Sequence, residues 1–455
     1  QINATGTASL DVSNSILNNN GGATDISANN VVLLAGNTIG VGGNGVDVDA
    51  NNLAARAINA SVDINEISGA NIVDLSTLKT AQAVSGVVGN VDACVNSTGA
   101  LNVISAVNAN NVAALKAGGT LTLSNTVTAT NLVSIDTTGS VVDNQTVVAN
   151  DLNSANVVIR GADIGSADGI EVNATTVAAQ ATAGSTNLNL NQTVSIGNLT
   201  LAKVGTTLNG IDSTGTTCLN VDGSINVDSV VTGGNAALFT NNGDINIAGQ
   251  VNVTNTASLV ASGNINDANA GNLNIAAANL VMTANNIGNG DPLEINVNNL
   301  AARSNGTIGL VDVATGMNTT ALNTIACGNA STAVTGLNAT GDICLDVNGS
   351  MTIASNIVGN GDISINVTRN ITTIGQVNST NTTGTILASA GNINNGNGAA
   401  TGEATVFEAG LSATADTRET ATGTITVTAG EKLQSVTIGG TTLDVAQLPA
   451  LVTTP

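Results

Sequence analysis

Apolar and polar residues alternate between Gly223 and Asn266 in a frame that keeps restarting. Gly223, Gly243 and Gly263 open the segments GSINVDSVV, GDINIAGQV and GNIN. Alternation of period two marks strands with one buried face. Strands that return in a fixed frame of about twenty residues predict a stack of coils, each burying its apolar face against its neighbours. The expected fold is all-β, a parallel β-helix (β-solenoid) of about twenty coils. At about 4.8 Å per stacked strand it would measure roughly 100 Å.

A longer period overlies the coils. IGVGGNGVDVDANNLAAR from Ile39, IGSADGIEVNATTVAAQ from Ile164 and IGNGDPLEINVNNLAAR from Ile287 are versions of one segment. Their spacing of about 124 residues groups the coils into super-repeats of about six. Cys94, Cys218 and Cys344 keep the same register, as do TGTASLDV from Thr5, TNTASLVAS from Thr254 and TNTTGTILAS from Thr380. The array therefore begins and ends at nearly the same phase. Gly and Asn mark the corners, where Gly accepts positive φ and Asn tolerates it. Asn repeated at one corner predicts a stacked amide ladder. The two end coils are open edges that call for a cap or a partner.

The pattern changes near Ala399. The solenoid is expected over residues 1–398, a Gly/Asn-rich linker over 399–405 and a β-sandwich-like segment over 406–455. Within that segment SVTI, Gly439-Gly440 and TTLDV predict a hairpin with a two-residue turn. Three or four strands fall short of the seven or so of a complete sandwich, so the module looks incomplete.

Composition sharpens the picture. There is no Trp, Tyr or His, and only Phe239 and Phe407 are aromatic. Small branched residues suit the narrow interior of a coil better than a rounded core. Nine basic against 31 acidic residues leave a formal charge of −22. That balance disfavours nucleic acid, which needs cations to meet its phosphates, and anionic lipid surfaces. No apolar run approaches a membrane span, and no signal peptide is visible. Gln1 suggests a mature or excised chain, and scarce Lys fits a secreted one.

The solenoid resembles the filamentous-haemagglutinin-like exoproteins, on the GDINI and GNIN starts and the segments ANNVVLLAGNTIG and AANLVMTANNIGNGDPLEINVNNLAAR. The resemblance implies a right-handed β-helix secreted to a bacterial surface. The tail VFEAGLSATADTRETATGTITVTAGEKLQSVTIGGTTLDVAQL resembles the opening of the β-sandwich repeats of RTX and VCBS-type adhesins.

Candidate chemistry is sparse. Gly42 to Asp47 matches the start of a calcium nonapeptide once, with Asp49 where an apolar residue belongs, so a Gly-rich corner is the expectation. Cys327 and Cys344 lie about one coil apart in sequence, which makes a Cys327–Cys344 disulfide the candidate; the alternative is that all four cysteines are small core residues. N-x-S/T sequons such as Asn59, Asn144, Asn252, Asn338, Asn366 and Asn370 arise readily in an Asn/Thr-rich chain. The pairs Asp342/Asp346 and Asp168/Glu171 have the residue type for glycoside cleavage, without the aromatic platforms of a sugar site. Thr424 and Thr426 give a Thr-x-Thr pattern that does not recur coil by coil. The chain is expected to be no enzyme, to need no cofactor and to bind no metal. Its expected role is that of an extracellular structural or adhesive rod. Copies of itself, stacked end to end or joined by strand addition, and surface or matrix glycans are the expected partners. A secreted polysaccharide-cleaving β-helix enzyme and a binding module for one surface receptor or glycan are the alternatives.

Overall fold

The computed structural model describes residues 1–41, 43–145, 149–165, 168–327, 329–381 and 384–395, and the strands Ser435–Ile438 and Thr441–Asp444. These residues are all-β, without a helix, and wind into a parallel β-solenoid of about 19 turns. No helix among them is long and apolar enough to cross a membrane. The chain divides into two compact units, Gln1–Ala277 with Thr324–Thr332, and Ala278–Asn323 with Ala333–Pro455.

In the first unit a typical turn holds three short strands, such as Asp92–Ser97, Leu101–Val103 and Val107–Ala109. The next turn repeats them as Val112–Ala117, Leu121–Leu123 and Val127–Thr128, each in parallel register with its predecessor. Alternate residues point inward, so like residues stack in columns. Ile64, Val95, Leu115, Ile135, Ile159 and Ala179 form one such column through successive turns. All six are buried. Each buried Ile or Leu contributes about 2 kcal/mol from apolar area alone. A column of this kind needs no aromatic residue, which accounts for the composition.

Outward positions carry the amide ladders. Asn102 donates to Asn71 at 2.7 Å, Asn71 to Asn52 at 3.2 Å and Asn52 to Asn30 at 2.8 Å. Asn266, Asn246 and Asn226 repeat the arrangement at 2.8 Å per step. Corner ladders also occur, as where Asn131 donates to Asn111 at 2.8 Å. The ladders thus run along strand midpoints as well as corners.

The second unit follows the same rules. Leu310, Leu345, Ile365 and Ala388 form an inward column, and Met317, Met351, Ile371 and Ile393 another. Asn318 donates to Asn299, and Asn299 to Asn279 at 2.9 Å. Ser435–Ile438 and Thr441–Asp444 pair antiparallel with Ile438 opposite Thr441, the hairpin expected across Gly439-Gly440. The linker 399–405, Phe407, Thr424, Thr426 and the other strands of the 406–455 segment lie outside the described residues.

Candidate functional site

Among the described residues, three hairpin arms interrupt the coils. Arm 1 joins Asp74–Ser76 to Ala83–Ser85, arm 2 joins Asn198–Thr200 to Thr207–Asn209, and arm 3 joins Ala321–Asn323 to Ala333–Thr335. They recur at the super-repeat period of about 124 residues. Each arm lays two apolar residues on the outer face of the sheet. Leu75 and Val84 cover Val32 and Ala54; Leu199 and Leu208 cover Val158 and Ala178; Leu322 and Val334 cover Val281 and Ala301. The alanines Ala54, Ala178 and Ala301 come from the recurring segments NNLAAR and TTVAAQ. Those strands are buried on both faces, which explains why they read as continuous apolar runs rather than alternating ones.

Each arm leaves through a glycine. Gly86, Gly210 and Gly336 have φ of 64°, 69° and 63°. A methyl group on any of them would collide with the carbonyl oxygen of Ala106, Val230 or Asn356. Only glycine meets both demands.

Each arm tip is clasped by a serine. The Leu78 N–H donates to Ser9 Oγ at 3.0 Å, Ala202 N–H to Ser134 Oγ at 3.0 Å and Ile325 N–H to Ser258 Oγ at 3.1 Å. Past the clasp the arms differ. In arm 1 the Thr80 hydroxyl donates to Asp11 at 2.6 Å. In arm 2 Lys203 Nζ forms an ion pair with Asp63 Oδ1 at 2.6 Å. In arm 3 Cys327 is disulfide-bonded to Cys218, with a Cα–Cα distance of 5.6 Å.

This pairing corrects the expected Cys327–Cys344 disulfide. The spacing of 327 and 344 suggested adjacent coils, but Cys327 belongs to an arm tip and not to a coil. Its segment, Thr324–Thr332, lies in the first unit, over Ala237 and Cys218. Cys344 is a free, exposed thiol on an outward position between Gly309 and Ser364. Cys94 is also free and sits between Asp63 and Ala114 beside Lys203. Burial pushes its pKa up to about 11, with Lys203 opposing. Partial burial raises Cys344 as well, helped by Asp342, Asp346 and Asp362.

The chain matches no protein family, no curated protein and no solved structure. Its chemistry is therefore read from its own geometry.

Asp143, Asp151 and Glu171 bring their carboxylate oxygens within 4.8 Å of one another. Asp151 is fully buried. It accepts hydrogen bonds from the Glu171 N–H at 2.9 Å and from the Gln145 side chain. Burial raises its pKa to about 8, the Glu171 N–H opposes this, and the carboxylates of Asp143 and Glu171 add to it. Burial and the two neighbouring carboxylates thus favour its protonated form. The trio offers three ligands where Ca²⁺ takes about six to eight oxygens.

The sequence-derived acidic pairs do not converge on a cleft. Asp342 accepts from the Asp362 N–H at 2.8 Å and Asp346 from Asn366 at 2.7 Å, both on the exposed face. Asp168 is exposed, and Glu171 turns to Asp151 and to Asn189 at 3.0 Å. Of the Gly42–Asp47 corner, Gly42 lies outside the described residues. Asp47 is buried and accepts from Asn18 at 2.9 Å and Asn65 at 3.0 Å, as a structural carboxylate does. A shallow outer groove is lined by Arg56, Asn90, Asn108, Asn110, Thr130 and Asn153.

Proposed function

We propose that this protein is an extracellular structural and adhesive element, a secreted or surface fibre of the filamentous-haemagglutinin-like kind. Its tail would be the start of an RTX- or VCBS-type adhesin repeat. The role is mechanical and not catalytic. Coils that satisfy their backbones and amides on immediate neighbours, tied by arms that reach back across several coils, support this reading most directly. The Cys218–Cys327 cystine favours an oxidising compartment. Lack of His, Trp and Tyr removes the usual nucleophile-base pairs and sugar platforms. The amide-lined groove beside Arg56 suits the hydroxyls of surface or matrix glycans. Copies of the chain joining head to tail would lengthen the fibre.

Electron microscopy of the purified chain, together with a glycan array, tests the proposal. Fibres one coil wide, and retention on glycans, are the expected results. Compact particles with no glycan binding, or release of sugar fragments from polysaccharide, would overturn it.

A further inference from the structure

Arm 2 lies along one outward column of the sheet: Asp63, Cys94, Ala114, Ser134, Val158 and Ala178. Its leucines cover Val158 and Ala178, its tip is clasped by Ser134, and Lys203 runs on to Cys94 and Asp63. Arm 3 follows the matching column of Ser258, Ala237 and Cys218. There the tip is fastened covalently, Cys327 to Cys218. Cys94 holds the place of Cys218, since each lies two layers beyond the clasp serine. Arm 2 brings to that place a lysine instead of a cysteine.

The surroundings of that lysine are those of an acyl-transfer site. Lys203 Nζ stands 2.6 Å from Asp63 Oδ1, and the two side chains are only 22% and 8% exposed. The other carboxylate oxygen, Asp63 Oδ2, accepts the Gly43 N–H at 3.1 Å. The Cys94 thiol hydrogen-bonds with Lys203, and burial keeps it protonated by pushing its pKa up to about 11. The ion pair of Arg160 with Asp136, at 2.7 Å, has a guanidinium in place of the amine. That group stays charged and is no nucleophile, whereas a lysine amine can attack a carbonyl carbon.

We propose that Lys203 and Asp63 condense, without an enzyme, into an isopeptide bond that locks arm 2 as the cystine locks arm 3. One proton passes from Nζ to Oδ1, leaving an amine against a carboxylic acid. Nζ attacks Cγ, and the negative charge that gathers on Oδ2 meets the Gly43 N–H. The Cys94 thiol takes a second proton from Nζ as it gives its own to the departing hydroxyl. The Cγ–Oδ1 bond breaks and one water leaves, so ammonium and carboxylate become amide and water with no change of oxidation state. The fold has already brought the reactants together, an advantage equivalent to about 10⁵ M or more of free reactant. The lock adds to the fibre reading and does not depend on it. It also survives the reductant that frees arm 3.

The test is the mass of the whole chain, taken from its folded fraction, then reduced and denatured. The wild type is expected to be one water lighter than its sequence, and its digest to contain one branched peptide joining the segments around Asp63 and Lys203. Lys203→Arg, which keeps the ion pair, and Asp63→Ala are each expected to show full mass and no branched peptide. Cys94→Ala is expected to slow the loss of water after synthesis at least about tenfold, as removing a proton carrier does. A folded wild type of full mass, or a water loss that persists in Lys203→Arg, overturns the cross-link. A Cys94→Ala chain that condenses as fast as the wild type overturns the role of the thiol.

Discussion

Removing the cystine isolates what holds the tip of arm 3. The bond joins residues 109 apart in sequence. Closing a loop of that length removes about 5 kcal/mol of chain entropy from the unfolded state, in the loop-entropy account. Without it, the tip keeps the 3.1 Å bond from Ile325 N–H to Ser258 Oγ and the burial of residue 327. That bond is worth about 1 kcal/mol net, and the buried side chain about as much again. The two together hold the tip closed by a factor of only about 30. In a Cys327→Ser chain, or in the reduced wild type, the tip should therefore open often enough to be seen. Hydrogen exchange at the Ile325 amide is expected to rise at least a hundredfold on reduction. The melting temperature of the first unit is expected to fall by several degrees. Unchanged exchange and a superimposable melt would refute the reasoning, since the serine clasp would then suffice alone.

Three further outcomes are expected. A thiol reagent should label Cys344 in the folded protein, faster as pH rises, and leave Cys94 untouched until unfolding, because burial raises the pKa of Cys94 to about 11; mass mapping of the label checks it. Asp151 binds its proton more tightly folded (pKa about 8) than unfolded (3.8), so its contribution to stability is complete below pH 4 and is lost as pH rises to about 8. The slope within that window is at most about 1.4 kcal/mol per pH unit, and Asp151→Asn should flatten it in melts across pH. Gly210→Ala should cost several times as much as Gly205→Ala: both have φ of 69°, but a methyl at 210 strikes the Val230 carbonyl and one at 205 meets nothing. The φ penalty alone is about 1–2 kcal/mol, and denaturant melts of the two variants separate the collision from it.

The coil and the super-repeat were legible because each is a periodicity. Ile225, Ile245 and Ile265 stack as the GSINV, GDINI and GNIN starts imply. The arms were not legible. Each contributes two three-residue strands, and none has the Asn-Gly or Gly-Gly turn that betrays a hairpin. A weaker signal was present in coil length. Glu66 and Ser97 are bonded neighbours 31 residues apart, as are Asn189 and Asn220, whereas Asn226 and Asn246 are 20 apart. The coils with an arm are longer by the length of the arm. Treating every coil as equal also misplaced the disulfide, since Cys327 was assigned to a layer it does not occupy. The clasp serines were hidden for another reason: Ser9, Ser134 and Ser258 recur in register, but nothing in sequence says what an outward serine will meet.

The serine clasp limits how the gene for such a chain can lengthen. Arm 2 finds Ser134 only because a set number of layers separates its root from that residue. Duplicating or deleting a single layer would slide the tip onto the wrong neighbour and strand Lys203 away from Asp63. Whole blocks of about 124 residues keep every arm in step. Recombination that preserves the protein should therefore change its size in units of that block.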